Sequence, residues 1–108
     1  MELVDIDINE NSLKEKIEGK ESFVLIIGAS WNKQSEMLIE NVLSGLESLD
    51  QINKSIYFID MDIGIDTVSG LGVNAIPTLI LFKEGVDIYR FVGLKKSNEI
   101  YMNISSRI

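Results

Sequence analysis

The stretch FVLIIGASWNKQSEML places polar side chains where an apolar run gives way to a helical pattern. Within it, Asn32 and Ser35 lie three residues apart, directly after Trp31, the only Trp of the chain. The carboxamide of Asn32 is neither nucleophilic nor redox-active, but Asn is a favoured helix N-cap. A serine nucleophile at position 35 would need a neighbouring base, for which Lys33 and Glu36 are the nearest candidates. We therefore expect Asn32 to cap a helix and Ser35 to lie in its first turn.

The chain contains no Cys and no His. The absence of Cys excludes disulfides, thiolate nucleophiles and thiolate metal sites, and the absence of His removes the commonest general base. Three carboxylates, Asp60, Asp62 and Asp66, follow one another closely, but they lack the acid at the fifth position and the Gly at the sixth that a calcium loop has. We predict that Asp60 and Asp62 mark the solvated end of a strand and that Asp66 caps the next helix. No metal site and no cofactor are expected.

Hydrophobic periodicity predicts a single domain of 108 residues with elements in the order β-α-β-α-β-α-β-β-α. Helices between the first strands imply parallel crossovers, and a tight turn makes the last two strands antiparallel. The fold class is α/β, a mixed five-stranded sheet with helices on both faces. The predicted strands are Glu2–Ile6, Ser22–Gly28, Ser55–Asp62, Thr78–Phe82 and Asp87–Val92, the last two joined by Lys83, Glu84 and Gly85. Four helices are predicted. The first contains Leu13 and Ile17, and the second spans Gln34–Leu49. The third runs from Asp66 to Gly70 or Gly72, and the fourth follows an N-cap at Ser97.

Charge and hydropathy exclude some partners. The net charge of −7 argues against binding to nucleic acid or to an anionic membrane surface. The longest apolar stretch, FVLIIGA, is too short to span a bilayer. The first ten residues are acidic where a signal peptide would be basic. We therefore expect a cytoplasmic protein that contacts neither nucleic acid nor membrane.

Several motifs, in order and in spacing, resemble the thioredoxin family over nearly the whole chain. An apolar strand leads into ASWNKQSEML, then FIDMD, then VNAIPTLILFKEGVDIYRFVG. The resemblance implies a thioredoxin-like fold, with the mixed five-stranded sheet sandwiched between four helices. In thioredoxins the Trp is followed by Cys-Gly-Pro-Cys, whereas Asn32 and Ser35 occupy the two Cys positions here. The family label would suggest a protein-disulfide oxidoreductase, but this chain has no sulfur nucleophile for that exchange.

Three further positions depart from the family pattern. Thioredoxins usually bury an Asp on the central strand with a Lys beside it, and Ile26 and Phe58 stand at those places. Because buried charges are costly to desolvate, apolar side chains are more stable there once no thiol needs deprotonation. Gly28 replaces a Trp found in many thioredoxins, which predicts a reshaped rim of the site. Together these changes predict a naturally redox-inactive relative.

The resemblance also implies a cis bond between Ile76 and Pro77, facing the turn at Trp31. The backbone of Ile76 would then offer an edge on which an extended polypeptide can pair. We predict that a partner polypeptide, or a second copy of the chain, binds in an apolar groove here; the alternative is a structural module of a larger assembly. The predicted binding residues are Trp31, Asn32, Lys33, Ala75, Ile76, Pro77, Val92, Gly93 and Leu94.

Overall fold

The computed structural model describes residues 10–62 and 65–108, and the strand predicted at Glu2–Ile6 lies outside them. The helices are α1 (Glu10–Glu18), α2 (Lys33–Gly45), α3 (Ile65–Gly70) and α4 (Ser97–Ser105). The strands are β1 (Phe23–Gly28), β2 (Ile56–Asp60), β3 (Thr78–Lys83) and β4 (Val86–Val92). The described strands form one four-stranded sheet in the order β2-β1-β3-β4. None of the helices in these two ranges is long and apolar enough to cross a membrane.

The directions of the strands confirm a mixed sheet and correct one expectation. Strand β1 pairs parallel with β2, and β3 pairs antiparallel with both β1 and β4. We expected the helix between β2 and β3 to be a parallel crossover. Instead the short α3 does not carry the chain back across the sheet, because β2 ends and β3 begins at the same edge.

Strand β1 separates two apolar cores. All six of its residues are buried, as its continuous apolar run predicts for a central strand covered on both faces. One core lies between the sheet and helices α2 and α4; it includes Val24, Ile26, Leu38, Val42, Leu79, Leu81, Ile100 and Ile104. The other lies on the side of α1 and α3; it includes Leu13, Leu25, Ile27, Val68 and Ile80. The two layers of helices hold β1 in place, and β1 in turn positions the loop that contains Trp31.

Helix α2 is shorter than its apolar spacing predicts, ending at Gly45 rather than at Leu49. Gly45 lies against the backbone of Ser97, so that a Cβ at this position would be 2.6 Å from the Ser97 carbonyl oxygen. The chain then continues in turns, and Leu49 N donates to Leu46 O at 3.0 Å. Leu46 thus keeps its place in the core although it lies beyond the helix.

Two predicted N-caps are wrong. The N-cap of α4 is Lys96, which makes no side-chain capping bond, and Ser97 is the first helical residue. The hydroxyl of Ser97 instead shares a hydrogen bond of 2.7 Å with Ser44 Oγ on α2. Asp66 is not a cap either, because α3 already begins at Ile65 and Asp66 lies in its first turn. Gly70 ends α3, as predicted.

The hairpin between β3 and β4 has a two-residue turn, tighter than the predicted three. Glu84 and Gly85 form the turn with φ values of +52° and +80°. Positive φ at both central residues matches the right-handed twist of the flanking strands, which lets the strands extend to Lys83 and from Val86.

Candidate functional site

The strand registers bring four chain segments to one edge of the sheet. Gly28 is opposite Asp60, Ile27 is opposite Thr78, and Thr78 is opposite Val92. The segments that follow β1, β2 and β4, and the segment that precedes β3, therefore all leave the sheet at this edge. We call it the site edge, defined by Gly28, Asp60, Thr78 and Val92. Every residue predicted to bind a partner lies on or next to it in the chain.

Asn32 is the N-cap of α2, as predicted from its residue type. Its Oδ1 accepts two hydrogen bonds from Ser35, one from the backbone N–H at 2.7 Å and one from the hydroxyl at 2.8 Å. Ser35 Oγ in turn accepts a bond of 3.2 Å from Ala29 N, and Ser35 is only 1% exposed. The Ser35 hydroxyl thus donates to a carboxamide, which is not a base. Its hydrogen bonds stabilise the turn and do not activate the oxygen as a nucleophile.

The bases considered for Ser35 point elsewhere. Lys33 and Glu36 form an exposed pair with each other, with 3.6 Å between Nζ and Oε2. The hydrogen bonds of Ser35 Oγ run to Asn32 and Ala29. Nothing in this geometry activates a serine nucleophile.

The positions beneath the turn are apolar and adjacent. Ile26 is opposite Phe58 in the parallel pairing of β1 and β2, and both belong to the core on the side of α2. Ile26 is fully buried. This part of the site therefore offers neither the carboxylate nor the ammonium group that the family pattern places there.

Gly28, which we expected to reshape the rim of the site by replacing a Trp, lies inside the protein. It is buried at the end of β1, where an added Cβ would be 2.5 Å from Ser35 Oγ and 3.1 Å from Phe58 Cε2. Real Cβ atoms do not approach other heavy atoms as closely as the first of these distances. A side chain at position 28 would therefore require Ser35 to shift.

Trp31 is held at the surface by a carboxylate. Its Nε1–H donates to Asp62 Oδ2 at 2.7 Å, and the side chain remains 68% exposed. Asp60 supports the same loop, because its Oδ1 accepts from Asp62 N at 2.9 Å and its Oδ2 accepts from Ser30 N at 3.4 Å. Strand β2 ends at Asp60, so Asp62 belongs to the turn after it and not to the strand as predicted. The two carboxylates therefore order the Trp31 loop, a role that their spacing alone did not indicate.

The segment before β3 presents open backbone groups. The Ile76–Pro77 peptide bond is cis. Ala75 O accepts from Thr78 Oγ1 at 2.7 Å, and Pro77 O accepts from Gly93 N at 2.8 Å. Within residues 10–62 and 65–108, the N–H and C=O of Ile76 have no hydrogen-bond partner. Of Ala75, Ile76 and Pro77, only Ile76 has both a backbone donor and a backbone acceptor without a partner among the described residues.

The predicted binding residues differ in exposure. Val92 is 61% exposed and Leu94 is 41% exposed, whereas Ile76 is half-buried. Pro77 is buried, so its side chain offers little surface to a ligand. Gly93 has a φ of +95°, and an added Cβ there would meet nothing within 4 Å. The site edge is therefore open next to Gly93.

The sequence interpretation overlooked Met37, which is 40% exposed. It lies on α2 one turn before Asn41, whose Nδ2 donates to Lys95 O at 2.9 Å. Met37 and Asn41 share one face of the helix, so Met37 lies on the side of α2 along which the segment after Leu94 runs. The contact between Asn41 and Lys95, which identifies this side of α2, joins distant parts of the sequence and gave no signal in the sequence alone.

Asp60, Asp62 and Asp66 do not assemble into a metal site. In the described part of the chain, no group of three or more acidic side chains could hold a metal ion. The bonds of Asp60 and Asp62 run to the Trp31 loop instead.

Comparison with known proteins agrees with this architecture. A curated thioredoxin of Chlamydia muridarum (strain MoPn / Nigg) is 43% identical over 47 residues, a match that spans 44% of this chain and less than half, 46%, of that protein. Among solved structures, mitochondrial thioredoxin 3 of Saccharomyces cerevisiae has a TM-score of 0.78 at 19% identity, covering 91% of this chain and 90% of its own. Thioredoxin O2 of Arabidopsis thaliana has a TM-score of 0.77 at 24% identity, covering 90% and 84%. The thioredoxin family model matches residues 4–106, and the chain therefore belongs to the thioredoxin family.

Proposed function

We propose that this thioredoxin-family protein binds an extended polypeptide segment at the site edge and does not catalyse thiol–disulfide exchange. The chain contains no Cys, so it lacks the thiolate that attacks a disulfide and the thiol that resolves the mixed disulfide. Asn32 and Ser35, at the two family positions, are bonded to each other. The site edge therefore has no group for redox chemistry, but it has exposed side chains that can contact a partner.

The surface of the site edge is apolar and exposed. Trp31, Val92 and Leu94 are exposed large hydrophobic side chains on segments that leave the sheet at the same edge. Aromatic anchors supply much of the binding energy at interfaces, and exposed apolar patches mark interaction sites in soluble proteins. The 68% exposure of Trp31 is the observation that carries the proposal.

The free backbone groups of Ile76 support an extended polypeptide as the ligand. An N–H and a C=O of one residue without partners match the hydrogen-bonding pattern that an added strand completes. A polypeptide in extended conformation would satisfy both groups and place alternate side chains on Trp31 and toward Gly93. A globular surface without an extended segment would leave them unpaired.

A titration followed by NMR tests the proposal. The probe is the neutral heptapeptide acetyl-Ala-Gln-Val-Leu-Val-Gln-Ala-amide, added to the ¹⁵N-labelled protein. Binding should shift the signals of the Trp31 indole N–H and the amides of Ile76 and Gly93, and protect the Ile76 amide from solvent exchange. The variant Trp31→Ala should lose most of the affinity, whereas the matched variant Met102→Ala, which removes an exposed apolar side chain from α4, should bind like the parent.

Two results would contradict the proposal. One is the absence of shifts at the site edge at millimolar peptide concentrations. The other is a set of shifts centred on α4 or on the outer face of α1, which would favour the alternative of a structural module that uses its helices.

A further inference from the structure

We infer that the segment bound at the site edge carries a Lys or Arg side chain that lies over the Trp31 indole and pairs with Asp62. This inference rests on the proposed function and adds the chemistry of the partner: an apolar segment flanked by positive charge. The relevant feature is the exposed indole together with the carboxylate that holds it.

The geometry of the Trp31–Asp62 bond leaves the aromatic face free. The indole N–H lies in the plane of the ring, so a carboxylate that accepts from Nε1 at 2.7 Å sits at the ring edge. The ring remains 68% exposed. A cation over the face of an indole is attracted by the ring quadrupole within roughly 6 Å of its centre. A Lys or Arg side chain in that position also comes within reach of the carboxylate.

The negative charge at this end of the site edge is not neutralised by the protein. The described residues include all ten Lys and Arg of the chain, and within this part none forms an ion pair with Asp60 or Asp62. Lys33, the cation nearest to Trp31 along the chain, is paired with Glu36. Asp60 accepts from backbone N–H groups, which order the carboxylate but leave its charge in place. The surface beside Trp31 is therefore complementary to a cation.

At the opposite end of the site edge, next to Leu94, the protein carries positive charge and disfavours a cation. Lys96 follows Leu94 and Lys95, is exposed, and has no ion-pair partner in the described ranges, whereas Lys95 pairs with Glu99 at 4.0 Å. A cation of the partner would be repelled there. The charge preference is thus local to the Trp31 end and does not follow merely from the net charge of −7.

Three peptides with one apolar core test the inference. Two are the Lys and Glu versions of the neutral heptapeptide, acetyl-Ala-Lys-Val-Leu-Val-Lys-Ala-amide and acetyl-Ala-Glu-Val-Leu-Val-Glu-Ala-amide, and the third is the Gln version. Both flanks are changed so that one charge reaches Trp31 whichever way the peptide lies. Because Trp31 is the only Trp, its fluorescence reports binding directly. The Lys peptide should bind about threefold more tightly than the Gln peptide, because the cation–π contact and the ion pair of one Lys outweigh the solvent-screened repulsion between the other Lys and Lys96.

A single isosteric substitution separates the local charge from the general one. Asp62→Asn keeps an oxygen that can accept from the indole and removes the charge, so it should reduce the preference for Lys over Gln to the part that comes from the cation–π contact. Asp50→Asn makes the same change of net charge at an exposed position in the turn after α2, away from the site edge, and should keep the preference. Raising NaCl to about 0.5 M should reduce the preference in the parent and leave the binding of the Gln peptide nearly unchanged.

The outcomes separate this inference from the function on which it rests. Equal affinity for the Lys and Gln peptides, or a preference that Asp62→Asn leaves unchanged, overturns the cation site and leaves polypeptide binding intact. A preference lost equally in Asp62→Asn and Asp50→Asn reduces it to an effect of net charge and also overturns it. If none of the three peptides binds, both the inference and the proposed function are wrong.

Discussion

The side-chain oxygen of Asn32 accepts hydrogen bonds from both the backbone N–H and the hydroxyl of Ser35, at 2.7 and 2.8 Å. Where the family has two sulfur atoms that exchange electrons, this chain has an amide and an alcohol that stabilise the start of α2.

Asn32→Ala should therefore lower the free energy of unfolding by about 1–2 kcal/mol, because the capping bond is lost. Chemical denaturation measures the loss. Asn32→Asp keeps the acceptor and adds a charge that the helix dipole favours, so it should be as stable as the parent or more stable. Asn74→Ala, an exposed loop change, is the control, and an equal loss there would contradict the capping role.

The absence of Cys predicts no catalysis of disulfide reduction. In an insulin-reduction assay with dithiothreitol, the protein should not accelerate precipitation above the blank, since it has no thiolate to attack the disulfide. Activity that scales with protein concentration in a homogeneous preparation would refute this expectation.

Restoring both cysteines should restore only part of the chemistry. The double variant Asn32→Cys and Ser35→Cys should form an intramolecular disulfide, because these residues are joined by one helical turn. Turnover should stay below that of a thioredoxin that has both cysteines, the buried Asp and the neighbouring Lys, since Ile26 and Phe58 offer no group that accepts a proton. Thiol titration and the insulin assay measure the two effects. Turnover equal to that of such a thioredoxin would show that the buried carboxylate is dispensable.

A carboxylate returned to the core should be costly without a partner. Ile26→Asp places a charge in a fully buried position opposite Phe58, and we expect a loss of about 3 kcal/mol or more near neutral pH. Burial favours the protonated form, so the folded variant binds more protons than its unfolded chain, and the loss should shrink as the pH falls. Denaturation curves at about pH 7 and about pH 4.5 compare the two conditions. Ile26→Val is the apolar control, and a pH-independent loss would exclude this explanation.

The packing of Gly28 against Ser35 predicts a non-additive pair. Gly28→Ala should cost about 1–3 kcal/mol, because the new methyl group would overlap Ser35 Oγ. Gly70→Ala, where an added Cβ meets nothing within 4 Å, should be neutral or stabilising. Combining Gly28→Ala with Ser35→Gly should cost less than the sum of the single changes. A simple sum in that double-mutant cycle would show that the two residues do not interact.

The site edge should separate binding from stability. Trp31→Ala should leave the free energy of unfolding nearly unchanged because the ring is mostly exposed, yet weaken peptide binding by about 2 kcal/mol. Gly93→Trp should block the groove, and Gly93→Ala shows how much of its effect comes from backbone strain at φ +95°. If Gly93→Ala weakens binding as much as Gly93→Trp, strain and not obstruction is responsible.

Local patterns predicted the parts of the fold that depend on local chemistry. The continuous apolar run from Phe23 to Gly28 predicted a central strand buried on both faces, because only a covered strand tolerates such a run. Asn32 was predicted as an N-cap from residue type and position. The cap at Ser97 was wrong because its hydroxyl bonds to Ser44, which lies 53 positions away in the sequence. A contact between residues so far apart in the sequence cannot be predicted from a local sequence pattern.

The site was less predictable than the fold for the same reason. The position of Trp31 next to a helix start was visible in the sequence, but its bond to Asp62 depends on two loops that meet only in the folded chain. The antiparallel direction of β3 likewise depends on where the segment after β2 returns to the sheet. Residue types indicated which groups were available, and tertiary structure determined which of them meet.

The close approach of Gly28 and Ser35 has an evolutionary consequence. As long as Ser35 keeps its place, any mutation that adds a side chain at position 28 meets an occupied volume, so single steps toward the more usual Trp are disfavoured. Recovery of redox chemistry requires Cys at both position 32 and position 35, and neither change alone provides a reversible disulfide within the chain. The residue types accepted at position 28 thus depend on the side chain at position 35, so these two positions are constrained to change together.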